Sequence, residues 1–68
     1  MRYYVNQNEQ DNGDHEVHRA DCSWMPEAEN REYLGDFSSC SPSVAEAKRR
    51  GYRTADGCFY CSNACHTS

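Results

Sequence analysis

The chain has 68 residues, 37% of them hydrophobic, and a formal net charge of −4. We expect residues 1–68 to form one domain, and a chain below about 70–80 residues rarely gains more than about 3–5 kcal/mol from its hydrophobic core. The negative charge argues against a general nucleic-acid-binding protein, because phosphate backbones attract positive surfaces. No stretch approaches the roughly 20 apolar residues of a membrane span, so we expect no membrane partner.

Three segments in the first half of the chain have the composition of β-strands. Arg2–Asn6, RYYVN, is aromatic and β-branched and predicts the first strand. His15–Arg19, HEVHR, predicts a second strand whose alternation places His18 off the core face. Residues 31–37, REYLGDF, predict a third, in which Gly35 weakens the strand or marks a bulge.

The hydrophobic period then changes to that of a helix. The segment 41–43, SPS, predicts a helix start with either serine as the N-cap, and Ser43 with Glu46 also fits a capping box. The body covers residues 44–50, and Gly51 is a typical stop. We therefore predict a small α+β domain with a two- or three-stranded antiparallel sheet and one helix.

Large aliphatic side chains are scarce, since the chain has no isoleucine and only Val5, Val17, Leu34 and Val44. We expect aromatic rings to supply much of the core. The candidates are Tyr3, Tyr4, Trp24, Tyr33, Phe37, Tyr52, Phe59 and Tyr60. The chain also has five cysteines, and a structural zinc site contributes on the order of 10–16 kcal/mol that is coupled to folding. We therefore expect a metal to stabilise this fold more than the core does.

Two short motifs together supply four ligands of the types that zinc prefers. Cys58 and Cys61 form a CxxC, whose spacing lets two thiolates bind one tetrahedral zinc from a tight turn. His18 and Cys22 form an HxxxC at the end of a predicted strand and in the loop after it. Either motif alone is a weak signal, because CxxC also occurs in redox pairs. Four protein ligands leave no open position for water, so we expect a structural zinc and no enzyme.

Other assignments of the remaining cysteines stay open. The spacing from Cys61 to Cys65 equals that of the HxxxC motif, so Cys65 or His66 could replace His18 at the metal. Haem attachment is a further alternative, because residues 61–66 form a CxxxCH that is one residue longer than the usual attachment sequence, CxxCH. It would also require an export signal, and none is recognisable in this sequence. We expect Cys40 to be a small buried residue. A Cys40–Cys65 disulfide is the alternative if the chain is exported.

From His18 to Cys61 the chain resembles the zinc-binding module at the N-terminus of the Ada DNA-repair protein, and more closely its small stand-alone bacterial relatives. The matching pieces, in the order of the family, are His18 and Cys22, Asn30-Arg31 with Tyr33, Glu46-Ala47, Gly51-Tyr52-Arg53, and Cys58 with Cys61. The resemblance implies a bacterial zinc module with those four metal ligands.

The sequence departs from the Ada pattern where the repair chemistry takes place. In Ada the first cysteine of the quartet accepts a methyl group from DNA, and His18 stands at that position here. An imidazole bound to zinc cannot be that nucleophile. Residues 54–57 also intervene before the CxxC, where the family usually has a proline.

For function, we expect a non-catalytic zinc module that binds a protein partner, with Trp24, Tyr60 or Tyr4 as exposed anchors. The alternative is a nucleic-acid-binding accessory module that contacts phosphates through a basic cluster. That cluster consists of Lys48, Arg49, Arg50 and Arg53. The N-terminus lacks the apolar region of a signal peptide, so we expect a cytoplasmic chain with reduced thiols. A disulfide-stapled exported miniprotein is the remaining alternative.

Overall fold

The computed structural model describes residues 1–67 as an α+β fold, which confirms the predicted fold class. The elements are β1 (Arg2–Asn6), β2 (His15–Arg19), β3 (Arg31–Asp36), α1 (Cys40–Arg49) and β4 (Ala55–Gly57), with single 3₁₀ turns at Ala28–Asn30 and Asn63–Cys65. The first two strands have the predicted bounds, and the third ends one residue earlier than predicted.

The strands form one mixed sheet in the order β3-β1-β2-β4. β1 pairs antiparallel with β2 and β3, whereas β4 pairs parallel to β2. The prediction of two or three antiparallel strands was therefore wrong in number and in the direction of the last strand. β4 is only three residues long and reads Ala-Asp-Gly, which are not residues that favour strands. The formation of β4 depends on its pairing with β2, and no local sequence pattern predicts it.

The bulge predicted at Gly35 is present. Tyr3 pairs with Gly35 and Tyr4 with Tyr33, so the register shifts by one residue and Leu34 has no partner in β1. Gly35 has a φ of 133°, which is unfavourable for any residue with a Cβ atom. Leu34 is buried in the core, and the bulge therefore lets β3 keep its one large aliphatic side chain inside.

The helix begins and ends slightly earlier than the sequence indicates. Ser39 is the N-cap residue, and neither predicted capping serine caps the helix. Ser43 lies inside it and its hydroxyl donates to the carbonyl of Cys40 at 2.6 Å. The helix ends at Arg49, and Gly51 follows with a φ of 105°, as expected of a helix stop. Among residues 1–67, no helix is long and apolar enough to cross a membrane.

The core consists mostly of aliphatic and small residues, contrary to the expectation that aromatic rings dominate it. Its buried members are Tyr3, Val5, Val17, Leu34, Cys40, Ala47 and Ala55. Of the eight aromatic candidates only Tyr3 is fully buried, while Phe37 and Tyr52 pack against the core from its edge. Ala47 on the helix and Ala55 in β4 have small side chains, so the helix can approach the sheet closely. Little room then remains for aromatic rings between the helix and the sheet.

A disulfide joins Cys40 at the start of α1 to Cys65 in the last 3₁₀ turn. Cys40 is buried as expected, but it is paired and not free. The bond ties the C-terminal segment to the helix across 25 residues of chain. It thereby fixes the segment that follows the CxxC motif.

Candidate metal centre

The parallel pairing of β2 with β4 brings the two halves of the predicted site together. Val17 and Gly57 are partners in the register of these strands, and the amide of Cys58 donates to the carbonyl of Val17 at 3.0 Å. Both strands run in the same direction, so the residues that follow this pair, His18 in β2 and Cys58 after β4, lie side by side. His18 and Cys58 are therefore neighbours although 40 positions separate them in the sequence.

Two tight turns complete the cluster. Cys22 lies in a turn closed by its own amide, which donates to the carbonyl of Arg19 at 3.0 Å. Cys61 lies in the turn after Cys58, where the amide of Ser62 donates to the Cys58 carbonyl at 2.9 Å. Each turn returns the second ligand of its motif towards the first. The spacings HxxxC and CxxC are therefore those of single turns of chain.

The four predicted ligands form one cluster that could hold a metal ion. One ligand atom from each of His18, Cys22, Cys58 and Cys61 lies within 4.8 Å of all the others. The Sγ atoms of Cys22 and Cys58 are 3.9 Å apart, which is close to the separation of two thiolates bound at about 2.3 Å to one tetrahedral ion. The three cysteines are free thiols. The donors and their separations therefore fit a tetrahedral, thiolate-rich metal site.

Backbone amides point at the sulfur atoms. The amide of Arg19 donates to Sγ of Cys61 at 3.2 Å, and that of Trp24 donates to Sγ of Cys22 at 3.4 Å. Backbone amides of Tyr60 and Cys61 also donate to Cys58. Donors of this kind orient metal-binding thiolates and reduce their negative charge. The turns therefore stabilise the ionised form of ligands that carry most of the charge in the site.

Burial opposes ionisation while no metal is bound. It raises the pKa of Cys22 to about 12, with the neighbouring thiols of Cys61 and Cys58 adding to the effect and the Trp24 amide opposing it. Burial likewise raises the pKa of Cys58 and lowers that of His18. A cation must therefore displace protons from the thiols, whereas the imidazole is already neutral at pH 7.

The imidazole of His18 has an unsatisfied buried atom. The residue is 1% exposed, and its Nδ1 is the one buried side-chain nitrogen or oxygen among residues 1–67 that has no hydrogen-bond partner. A buried polar atom without a partner is costly. A metal ion at this atom would remove that cost, and this supports a bound metal independently of the cysteine spacing.

The two alternative ligands at the C-terminus lie away from the cluster. Cys65 is bonded to Cys40, and Nδ1 of His66 lies 3.0 Å from the carbonyl of Gly57 and 3.3 Å from the carboxylate of Asp56. Neither belongs to the metal cluster found among residues 1–67. The fold therefore brings His18, and neither of these two residues, to the three thiols. The segment that carries them packs against β4, where His66 and Thr67 contact Asp56.

Two of the four residues in the predicted phosphate-contacting cluster are paired with carboxylates of the same chain. Both Arg49 and Arg50 donate to Glu46, at 2.6 Å and 2.7 Å, and hold its pKa down to about 2. Arg50 also donates to Glu32 at 2.8 Å. Lys48 and Arg53 are exposed. These contacts do not favour a concentrated site for phosphate.

The predicted anchors Trp24 and Tyr60 lie together beside the metal cluster, and two further rings extend them. Trp24 stacks on Tyr60 with ring centres 4.8 Å apart, Phe59 meets the edge of Tyr60 at 5.3 Å, and His66 contacts Phe59 at 5.4 Å. Trp24, Phe59 and Tyr60 are 61%, 54% and 65% exposed. We call these four rings the aromatic surface. Tyr4, the third predicted anchor, is half-buried against Tyr33 and Arg31 elsewhere on the sheet.

Comparisons with models of known protein families, with curated proteins and with solved structures found no match. The resemblance to Ada-type zinc modules therefore stays a prediction, which rests on the motifs and their order in the sequence. The assignment of a candidate metal site does not depend on that resemblance, because it rests on the short distances between the four ligand atoms.

Proposed function

We propose that this chain is a structural zinc module that binds a protein partner through the aromatic surface. The observation that carries the proposal is the closed cluster of one imidazole and three thiols within 4.8 Å. Imidazole and thiolate are the ligands that zinc prefers, and a tetrahedron filled by four protein ligands is typical of structural sites. Such a site holds the loops in place and leaves no position for a substrate at the metal.

The aromatic surface lies on the turns that the metal would hold. Trp24 follows Cys22 by two residues, and Phe59 and Tyr60 lie between the two cysteines of the CxxC motif. A metal bound to those cysteines would therefore fix the positions of the rings before a partner arrives, which reduces the entropy lost on binding. Exposed tryptophan and tyrosine are typical anchors of protein interfaces.

The surroundings of these rings have the polar rim of a small interface. An open cavity of about 210 Å³ lies beside them, lined by Arg19, Asp21, Cys22, Ser23, Trp24, Tyr60 and Cys61. Arg19 and Asp21 form an ion pair there at 3.1 Å. The net charge of −4 favours a partner surface that is neutral or positive. A protein fits this arrangement better than a nucleic acid does.

The metal is tested first, by native and denaturing mass spectrometry of the purified chain. We expect a native mass that includes one zinc. After metal removal we expect three thiols that can be alkylated and a mass lower by two hydrogens, because of the single disulfide. A chain without metal, with two disulfides and one thiol, would contradict the proposal and support an exported miniprotein.

The partner is tested by affinity capture with three forms of the zinc-loaded chain. We expect the wild-type chain and Tyr33→Ala to capture the same protein, because Tyr33 is exposed but lies away from the aromatic surface. We expect Trp24→Ala not to capture that protein. The captured protein is then purified, and we expect Trp24→Ala to bind it at least roughly 30-fold more weakly. Binding of DNA or RNA at about 50 mM salt that Arg53→Ala abolishes would instead support the nucleic-acid alternative.

A further inference from the structure

The two ring nitrogens of His18 have different surroundings. Nδ1 is buried and has no hydrogen-bond partner, whereas Nε2 lies 3.6 Å from Oε1 of Glu16. Glu16 precedes His18 by two residues on β2, so both side chains lie on the same face of the strand. The Glu16 side chain is 14% exposed and that of His18 is 2% exposed, so the pair is shielded from water.

A neutral imidazole has one nitrogen that accepts and one that carries a proton. With a metal at Nε2, the proton of Nδ1 would point into a buried region that offers no acceptor. With a metal at Nδ1, the proton of Nε2 would face a carboxylate. Only the second arrangement gives both nitrogens a partner, and a carboxylate behind a metal-bound histidine fixes its tautomer and strengthens its binding.

We propose that Nδ1 of His18 is the metal-binding atom and that Glu16 is a positioning residue that accepts the Nε2 proton. This proposal rests on the proposed zinc function. The present separation of 3.6 Å is within the range of an ion pair and longer than a hydrogen bond. The proposal therefore requires the carboxylate to approach Nε2 when metal binds.

Glu16 has another carboxylate beside it in the sheet. It is paired in the register with Asp56 of β4, a second acid that is itself buried and accepts hydrogen bonds from Thr67. Gln10 also donates a side-chain hydrogen bond to Glu16. Glu16 and Asp56 are two carboxylates side by side in the sheet, and a protonated Nε2 of His18 would offer the Glu16 carboxylate a further donor.

The first test measures zinc affinity by competition with a chelator in four forms of the chain. We expect Glu16→Ala to bind zinc roughly 10–100-fold more weakly than wild type. Glu16→Gln keeps an oxygen acceptor without the charge, and we expect it to lose less than Glu16→Ala. Glu27→Gln removes an exposed acid elsewhere and should bind as wild type does. Equal affinities of wild type and Glu16→Ala would overturn the role of Glu16.

The second test identifies the metal-binding nitrogen directly in the wild-type chain. Wild-type chain with ¹⁵N-labelled histidine is loaded with cadmium, whose ¹¹³Cd nucleus couples to the nitrogen that binds it. We expect the coupling at Nδ1 of His18 and a proton on Nε2. In the loaded Glu16→Ala chain we expect that proton to exchange faster with water. Coupling at Nε2 would overturn the assignment while leaving the zinc module intact.

The proposed function and this inference fail in different ways. A wild-type chain that binds neither zinc nor cadmium would overturn both. A chain that binds one metal through three thiols and Nε2, or with unchanged affinity in Glu16→Ala, would overturn the inference alone.

Discussion

Gly57 lies directly against Cys65. A Cβ atom on Gly57 would be 2.7 Å from the Cβ atom of Cys65 and 2.5 Å from the carbonyl oxygen of Ser62. Contacts this short require the backbone to shift. Gly57 is also the last residue of β4 and immediately precedes Cys58. The absence of a side chain there is what lets the disulfide-bonded segment and the metal cluster share one edge of the sheet.

We therefore expect Gly57→Ala to displace the turn that carries Cys58 and Cys61. The free energy of unfolding should fall by about 1–3 kcal/mol, as for other overpacked positions, and zinc affinity should fall with it. Chemical denaturation and chelator competition measure the two effects. Gly51→Ala is the matched control: it is strained by the positive φ of 105° but has no atom within 4 Å. Weaker zinc binding in Gly51→Ala than in Gly57→Ala would contradict the steric explanation.

The disulfide and the metal cluster use different cysteines, so we expect one to survive the loss of the other. Replacing both Cys40 and Cys65 by serine should leave one zinc bound. It should destabilise the fold by about 3.5 kcal/mol, the chain-entropy value for a loop of this length, given the 25-residue separation. Native mass spectrometry and denaturation of the zinc-loaded chain measure these outcomes. Loss of zinc from a double variant that is still folded would place one of the two residues at the metal.

Arg50 connects the end of α1 to β3, and its removal should affect stability more than nucleic-acid binding. Its guanidinium donates to Glu32 at 2.8 Å and to the carbonyl oxygen of Tyr33 at 2.8 Å. Since the side chain is 31% exposed, solvent screening reduces these contributions, and we expect Arg50→Ala to cost about 1–2 kcal/mol. Lys48→Ala, on an exposed position nearby, should remain within about 0.5 kcal/mol of wild type. A thermal or urea denaturation series compares the two.

Zinc binding should release protons at pH 7. Burial keeps the pKa of Cys22 near 12 and that of Cys58 above its usual value, so both are protonated before metal binds, whereas His18 is already neutral. We expect at least two protons per zinc, and hence an affinity that rises at least about 100-fold per pH unit between pH 6 and 8. Calorimetry in buffers of different ionisation enthalpy counts the protons. Release of fewer than two would mean that a thiol is already ionised in the metal-free chain.

Much of the candidate site was predictable from the sequence, because its chemistry is local. The spacing of His18 to Cys22 and of Cys58 to Cys61 is that of single turns, and the side chains themselves determine which metals they prefer. The first three strands and the helix also follow from local patterns of apolar residues and turn signals. Neighbouring residues are sufficient to specify such features.

Only the tertiary structure decided how these parts meet. β4 has no strand-like composition, and it forms because β2 offers it a partner; this pairing brings Cys58 beside His18. The same packing brings Cys65 to Cys40 and leaves four aromatic rings exposed, because small residues fill the space between helix and sheet. The proposed role of Glu16 likewise depends on the burial of His18 Nδ1 in the folded chain. Such relations depend on residues far apart in the chain, so no local pattern in the sequence can specify them.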